Sequence, residues 1–174
     1  MRGLNRLNRY PRLAKAEILT EDRAHILRFV QEQGLTVLST VSADGNPESA
    51  TVECVVTDDF EIIFDTFQHF RKYTNLQANK RISAVFGWRD DITVQFEGEA
   101  EELSGELLDH YQGYYLRKIP SARKFAEMKD ISWFRVIPKW ARFTDVSREP
   151  WEIIELDLAS SYTRPETLAN QDNS

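Results

Sequence analysis

The sequence predicts a mainly β protein with flanking helices, folded as a six-stranded antiparallel barrel. Six β-rich runs follow one another, and short turns join the first three to each other and the fourth to the fifth. Helical patterns are confined to the start of the chain, one short middle segment and one late insertion. Strands that cluster in hairpins favour an antiparallel sheet over alternating βαβ units. The 174 residues have the length of one domain, and folding at this size removes roughly 70% of the unfolded surface from water.

The two ends of the chain differ in composition from the part between them. Residues 1–16 carry five cations and no acid, and we expect residues 1–19 to form a basic arm, since Pro11 and a weak apolar pattern disfavour a transit peptide. The polar, aperiodic end predicts a frayed tail over residues 159–174. The domain itself is expected over residues 20–158.

The first half of the domain begins with a helix and continues into three antiparallel strands. Thr20, followed by two acids, starts a helix over about residues 21–33, which Gly34 ends. The run LTVLSTVS leads through the turn dipeptide Asp44-Gly45 into ESATVECVV, which predicts a hairpin. A further turn leads into FEIIFDT as the third strand.

The second half holds a short helix, a hairpin, two more helices and a last long strand. The helix is expected over about residues 70–78, and the runs ISAVFGW and ITVQFEGEAEEL form the hairpin. Helical patterns follow over about residues 104–116 and 121–128. The run SWFRVIPKWARFTDV is the last strand, and Pro138 within it predicts a bulge or a sheet edge because proline cannot donate to the ladder.

Composition argues against several classes of protein. The net charge of -6 disfavours a general nucleic-acid binder, and no apolar run approaches the ~20 residues that a membrane span needs. The single cysteine, Cys54, cannot form an internal disulfide, and without a secretory leader the chain is expected in the cytoplasm. Cys54 lies in a strand pattern and is interpreted as a buried hydrophobe rather than a nucleophile. The three histidines are too far apart in sequence for a metal motif, so no metal site is expected.

Two adjacent cations, Arg71 and Lys72, stand at the predicted start of the short middle helix. Cations oppose the positive end of the helix macrodipole unless an anion binds there, and helix amides together with arginine and lysine are suited to holding a phosphate. The alternative is that both are ordinary surface residues. The sequence contains no phosphate loop or nucleophile elbow. A cofactor that carries the chemistry itself, such as a flavin, needs no such motif.

A wider stretch of the sequence resembles a known family. The run FDTFQHFRKYTNLQANKRISAVFGW, followed by ITVQFEGEAEELS, resembles the FMN-binding split barrels of the pyridoxamine 5'-phosphate oxidase type, which include the general-stress flavoproteins. The resemblance covers about residues 35–108 and resumes at FRVIPKWARFTD. It implies a split-barrel fold, FMN as cofactor, and a homodimer whose protomers form the cofactor sites at their interface.

The resemblance also assigns residues to the cofactor. It implies that Arg71 and Lys72 hold the FMN phosphate. Thr93 stands where the oxidases carry a flavin-contacting glutamine, for which Gln95 on the same strand face can substitute. The other residues belong to the strand SATVEC along the flavin ring and to a strand end beside it. The implied cofactor-binding residues are Ser49, Ala50, Thr51, Val52, Asp65, Thr66, Arg71, Lys72, Thr93 and Gln95.

The substrate side departs from the family pattern. Tyr111 matches a tyrosine that contacts substrate phosphate in the oxidases, and Arg117 lies two residues from the position of a substrate arginine. The C-terminal substrate signature is missing from FTDVSREPWEIIELDL, which disfavours vitamin B6 oxidation and leaves an unidentified small-molecule substrate. We therefore expect an FMN-dependent oxidoreductase with no catalytic residue assigned. The alternatives are a flavin-binding module without turnover and a split barrel that uses deazaflavin or haem, for which His69 is the nearest axial ligand.

Overall fold

The computed structural model describes the backbone of residues 15–163 and the side chains of residues 20–163. This part of the chain forms four α-helices and eight strands. The helices are α1 (Lys15–Gln33), α2 (Arg71–Ala78), α3 (Gly105–Lys118) and α4 (Arg123–Ala126), the last preceded by a 3₁₀ turn (Pro120–Ala122). The strands are β1 (Leu35–Val41), β2 (Pro47–Glu53), β3 (Val55–Val56), β4 (Ile62–Phe67), β5 (Arg81–Phe86), β6 (Ile92–Glu102), β7 (Ile131–Asp145) and β8 (Glu152–Asp157).

All eight strands belong to one antiparallel sheet that curls upon itself. Its hydrogen-bonded order is β2-β1-β5-β6-β7-β4-β3, and β8 pairs with β7 beside this path. The long strand β7 carries β6 along one edge, while β4 and β8 pair with the two halves of its other edge. Strands β2 and β4 stand near opposite ends of the order and yet contact each other, so the sheet curls into a split barrel.

A β-bulge lies where β6 passes the proline of β7. Glu97 pairs with Trp140 and Gly98 pairs with Pro138, so Lys139 is the extra residue. Proline has no N–H for the ladder, and a bulge removes the need for one. The prediction of a bulge or an edge at Pro138 is thus confirmed, in the form of a bulge.

Two apolar clusters lie on the two sides of the sheet. The larger fills the barrel and includes Ile26 and Val30 of α1. The smaller packs α3 against the outer side of β4 and β7. In this cluster the rings of Tyr115 and Trp133 meet edge to face, with their centroids 4.9 Å apart.

The strand count corrects the six strands predicted. The run ESATVECVV is divided, because β2 pairs with β1 whereas the two-residue β3 pairs with β4 on the other side of Cys54. Strand β8 was not predicted, although Ile154 and Leu156 are buried between exposed neighbours with the period of two that is typical of a strand. With this correction, the prediction of a mainly β split barrel with flanking helices is confirmed.

The described residues extend into both predicted appendages. Helix α1 begins at Lys15, inside the expected basic arm, and the rest of the arm over residues 1–14 lies outside the described residues. At the other end, the hydroxyl of Tyr162 donates to Oε1 of the buried Glu61 at 2.7 Å, while residues 164–174 lie outside the described residues. No helix within the described part of the chain is long and apolar enough to cross a membrane.

Candidate functional site

A cavity of about 330 Å³ lies between the β1–β2 pair and the start of α2. Four of the residues predicted to contact the cofactor line it, namely Ser49 and Ala50 from β2 and Arg71 and Lys72 from α2. The rest of the lining consists of residues that were not assigned to the cofactor: Leu38, Thr40, Glu48, His69 and Phe70. The fold therefore brings the predicted phosphate-binding pair and the start of the predicted flavin strand into one place.

Helix α2 begins at Arg71, directly after a turn that holds two aromatic rings. The ring of Phe70 meets that of His69 edge-on at 4.7 Å, and Nδ1 of His69 lies 3.2 Å from Oδ2 of Asp130, just before β7. No side chain caps α2 at Phe70 among the described residues, and its first turn holds no acid. The first amides of α2 thus lack a side-chain partner at the end where the macrodipole favours an anion.

A carboxylate from β2 reaches the same end of the helix. Nη1 of Arg71 donates to Oε1 of Glu48 at 2.9 Å, and Nδ2 of Asn75 donates to Oε2 of Glu48 at 2.9 Å. Arg71 and Asn75 are four residues apart and lie on one face of α2, so both reach one carboxylate. The amide of Asn75 also donates to the hydroxyl of Thr40 at 3.0 Å, and both of these residues are buried. Side-chain hydrogen bonds thus join α2 to Thr40 of β1 and Glu48 of β2.

The second cation, Lys72, has a carboxylate neighbour of its own. Its Nζ lies 4.9 Å from the ring centroid of Phe70. Burial lowers the pKa of Lys72, and the negative charge of Asp65 opposes that change. Burial raises the pKa of Asp65, while a backbone hydrogen bond and Lys72 lower it in part. Arg71 is therefore bonded to Glu48, whereas Lys72 is influenced by the charge of Asp65.

The other six residues assigned to the cofactor are not among those that line the cavity. Val52 belongs to the barrel core, Thr66 is buried in β4, and Thr51 is exposed on β2. Thr93 and Gln95 lie on β6, three strands from β2 in the order of the sheet. At the usual spacing between strands, three steps amount to roughly 14 Å. Measured along the sheet, Thr93 and Gln95 therefore lie apart from Ser49 and Ala50, the β2 residues that line the cavity.

The two predicted substrate residues lie on α3 in different surroundings. The buried hydroxyl of Tyr111 donates to Oε2 of Glu61 at 2.8 Å and accepts a hydrogen bond from Nη1 of Arg135 at 3.0 Å. Burial and the contact with Glu61 raise the pKa of Tyr111 to about 12. Arg117 is exposed, with its guanidinium 5.9 Å from the ring centroid of Tyr114. Neither Tyr111 nor Arg117 lines the cavity at α2.

Tyr111 belongs to a buried charged cluster that was not predicted. Arg135 has no exposed surface, and it donates to Glu61 at 3.3 Å and twice to Glu101, at 2.9 and 3.1 Å. The hydroxyl of Tyr162 also donates to Glu61. Among the described residues, none of the fully buried polar side-chain atoms of this cluster lacks a partner. The cluster ties α3 and the segment after β8 to the barrel.

Glu48 and Asn75 contribute to the site without having been predicted. The spacing of Arg71 and Asn75 within a predicted helix is a signal that both side chains share one face. Glu48 directly precedes Ser49, so it lies next to the strand that the resemblance assigns to the flavin. Neither signal indicates that the Glu48 carboxylate meets Arg71, since that contact depends on how α2 packs on β2.

Comparison with known proteins decides the family. The model of the pyridoxamine 5'-phosphate oxidase family matches residues 23–145. The chain belongs to this family. Over 83 residues it is 35% identical to the pyridoxine/pyridoxamine 5'-phosphate oxidase of Bordetella pertussis, a match that covers 47% of this chain and 40% of that protein. The chain therefore spans about two fifths of the length of this curated relative.

Solved structures share the fold at low sequence identity. A protein related to general stress protein 26 from Clostridium acetobutylicum aligns with a TM-score of 0.65 at 12% identity, over 82% of this chain and 98% of that chain. A haem-binding protein from Mycobacterium smegmatis aligns with a TM-score of 0.67 at 16% identity, over 79% of this chain and 59% of that chain. At these identities the likeness establishes the fold alone.

Proposed function

We propose that the chain is an FMN-binding oxidoreductase that holds the cofactor's phosphate at the start of α2 and acts on a small molecule. The observation that carries the proposal is that Arg71 and Lys72, the first two residues of α2, line one cavity with Ser49 and Ala50 of β2. Membership of the pyridoxamine 5'-phosphate oxidase family supports a flavin as the ligand. When bound, FMN carries the electrons, whereas the protein supplies binding and orientation.

The residues at the start of α2 fit a phosphate monoester. Arginine can donate two parallel hydrogen bonds to phosphate oxygens, and lysine adds a point charge. The uncapped first turn of α2 supplies backbone amides beside Arg71 and Lys72. A cavity of about 330 Å³ is near the lower end of the volumes usual for ligand sites, which agrees with a site that a second protomer completes.

We further propose that the site is completed in a homodimer. Measured along the sheet of one protomer, Thr93 and Gln95 are roughly 14 Å from β2, which favours a second copy as their source if they contact a flavin bound at β2. A flat ring needs a wall on each face, and the outside of one barrel offers only one. Val37 and Val85 lie in the same cross-strand row as Gln95 on this outer face and are only half-buried. A monomer that binds FMN fully in analytical ultracentrifugation would contradict this part of the proposal.

The test is a titration of the purified protein with FMN and with riboflavin, followed by flavin fluorescence and absorbance. Arg71→Ala combined with Lys72→Ala removes charge-assisted hydrogen bonds of about 1.5 to 3 kcal/mol each. At about 1.4 kcal/mol per tenfold, the affinity for FMN should fall by one to several orders of magnitude. We expect the lower part of this range, because the side chain of Arg71 is 78% exposed and solvent screens it. Riboflavin has no phosphate, so its affinity should change little.

The chain offers a matched control at the other end of the same helix. Lys80→Ala combined with Arg81→Ala removes the same two charges just after α2, from exposed side chains, and should leave the affinity for FMN unchanged. An equal loss in both double variants would contradict the phosphate assignment. Wild-type protein that is colourless and shows neither quenching nor an absorbance shift with FMN would contradict the FMN proposal itself. If bound flavin, once reduced, is reoxidised no faster with candidate substrates than with oxygen alone, the protein is a flavin-binding module without turnover.

A second candidate function, haem binding, is favoured by the position of His69. This residue lines the cavity, and its side chain is 64% exposed. The contact between its Nδ1 and Asp130 orients the ring and leaves Nε2 available as an axial ligand. The Mycobacterium smegmatis neighbour is named for haem binding. An absorption spectrum of the purified protein separates the two functions, since a Soret band that disappears in His69→Ala supports haem and flavin bands support FMN.

A further inference from the structure

The carboxylate of Glu48 is bonded to the guanidinium of Arg71, which the proposed function assigns to the cofactor's phosphate. Oε1 of Glu48 accepts from Arg71 at 2.9 Å, and Oε2 accepts from Asn75 at 2.9 Å. Both oxygens of the carboxylate are therefore bonded to α2. Glu48 also lines the cavity itself, beside Arg71 and Lys72. A second anion that enters the cavity meets a cation that already has a partner.

The two partners of this ion pair differ in how firmly the fold holds them. The side chain of Glu48 is 19% exposed, whereas that of Arg71 is 78% exposed. Glu48 is anchored by Asn75, which is itself buried and bonded to Thr40. Arg71 has no comparable anchor among the contacts of the described residues apart from Glu48. Arg71 is thus the partner that can turn toward a ligand, and Glu48 is the one that stays.

We propose that Glu48 is a specificity-determining residue of this site, which holds Arg71 and thereby weakens the binding of phosphate monoesters. The inference rests on the proposed FMN site and concerns how tightly that site takes a phosphate. A phosphate that binds Arg71 breaks the bond between Arg71 and Glu48 and then lies close to a fixed negative charge. Both effects disfavour a doubly negative ligand, because like charges a few ångströms apart repel at the effective dielectric of a protein surface.

The variant Glu48→Gln tests the inference with little change of shape. The glutamine keeps an oxygen that can accept from Asn75, but it carries no negative charge and holds Arg71 less strongly. We expect the dissociation constant for FMN to fall about tenfold, the equivalent of about 1.4 kcal/mol. The affinity for riboflavin should stay within about twofold, because riboflavin brings no phosphate to Arg71. Glu48→Ala should shift the FMN affinity in the same direction, and it replaces Glu48→Gln if that variant fails to fold.

A matched control carboxylate lies at the other end of α2. Oε2 of Glu102 accepts from Nε2 of Gln77 at 2.7 Å, so Glu102→Gln removes a charge that also bonds to an α2 side chain. This variant should bind FMN as the wild type does. If Glu102→Gln raises the affinity as much as Glu48→Gln, the gain reflects overall charge and the inference is overturned.

A combination with Arg71→Ala separates competition for the guanidinium from simple repulsion. If Glu48 acts mainly by holding Arg71, then Glu48→Gln should give a clearly smaller gain in FMN affinity when Arg71 is already alanine, because only the repulsion by the charge of Glu48 is then removed. A gain that persists in full overturns the inference, as does a gain that is equal for riboflavin. A loss of FMN affinity in Glu48→Gln also overturns it, since Glu48 would then orient Arg71 for the ligand instead of competing with it.

Failure of the inference can be told apart from failure of the proposed function. If the wild type binds neither FMN nor riboflavin, the proposed function fails, and inorganic phosphate then serves as the probe. Phosphate that binds the folded state stabilises it by RT ln(1 + [L]/Kd), so at one phosphate concentration tighter binding gives a larger rise of the thermal midpoint. A larger rise in Glu48→Gln than in the wild type supports the inference, and an equal or smaller rise overturns it.

Discussion

Replacement of Arg135 by methionine tests the buried charged cluster that joins α3 to the barrel. Arg135 is fully buried in β7 and bonds to two carboxylates, Glu61 at 3.3 Å and Glu101 at 2.9 Å. It also donates to the hydroxyl of Tyr111 at 3.0 Å. Methionine fills a similar volume without a charge, so the variant leaves Glu61, whose side chain is 3% exposed, without its buried cation.

The size of the effect follows from that burial. Breaking a buried ion pair from one side costs about 3–5 kcal/mol of unfolding free energy, because the remaining charge stays in the interior. The matched control is Arg142→Met on the same strand, since Arg142 also donates twice to one carboxylate, that of Glu155. The side chains of that pair are 37% and 50% exposed. An exposed pair contributes about 0–1 kcal/mol, so the two variants should differ by at least about 2 kcal/mol.

Urea unfolding followed by circular dichroism measures this difference as a shift of the midpoint at constant slope. A third variant, Glu61→Gln combined with Arg135→Met, should be more stable than Arg135→Met alone, because a neutral glutamine needs no cation. The reasoning is refuted if Arg135→Met loses no more stability than Arg142→Met. It is also refuted if the double variant is less stable than Arg135→Met.

Two further predictions concern buried positions in the sheet. Burial raises the pKa of Cys54 from 9.0 to about 12, so between these pH values the folded chain keeps a proton that the unfolded chain releases. The free energy of unfolding, measured by urea titration, should therefore fall as the pH rises through this window. Cys54→Ala should make this fall less steep, and an unchanged dependence on pH in the variant would contradict the prediction. Gly98→Ala places a Cβ 2.5 Å from the carbonyl oxygen of Ile137 and should lower the thermal midpoint by about 5 °C or more. Gly113→Ala in α3 meets only the side chain of Arg117 at 3.5 Å, so equal midpoints for the two alanine variants would contradict the packing argument.

Features that depend on the chemistry of one residue were predictable from the sequence. Pro138 lacks an N–H, and the structure has a bulge there. The short middle helix begins at Arg71, one residue from its predicted start. The division of ESATVECVV at Cys54 was not predictable in the same way, because it depends on which strand each half pairs with, and β1 and β4 are equally plausible partners for a β-rich run.

Contacts between residues that are distant in sequence could not be predicted from local sequence patterns. Glu48 and Arg71 are 23 residues apart, and Glu61 and Arg135 are 74 residues apart. Periodicity places a residue on a face of its own element, but it does not specify which carboxylate meets which cation across the fold. The resemblance to a family supplied what periodicity could not, since it grouped Arg71 with a strand that the structure places beside the same cavity.

The contacts of Arg71 and Lys72 change what their position at a helix start implies. On the macrodipole alone, two cations at the beginning of α2 call for a bound anion. The folded chain supplies that anion itself, because Glu48 bonds to Arg71 and the charge of Asp65 acts on Lys72. The cation pair by itself is therefore compatible with a site that binds nothing. What distinguishes it from an ordinary ion-pair network is the cavity beside it and the first turn of α2, which no described side chain caps. If FMN binds, the first amides of α2 are donors for which no acid among the described residues competes. A preference for FMN over riboflavin that survives the loss of both cations would come from these amides.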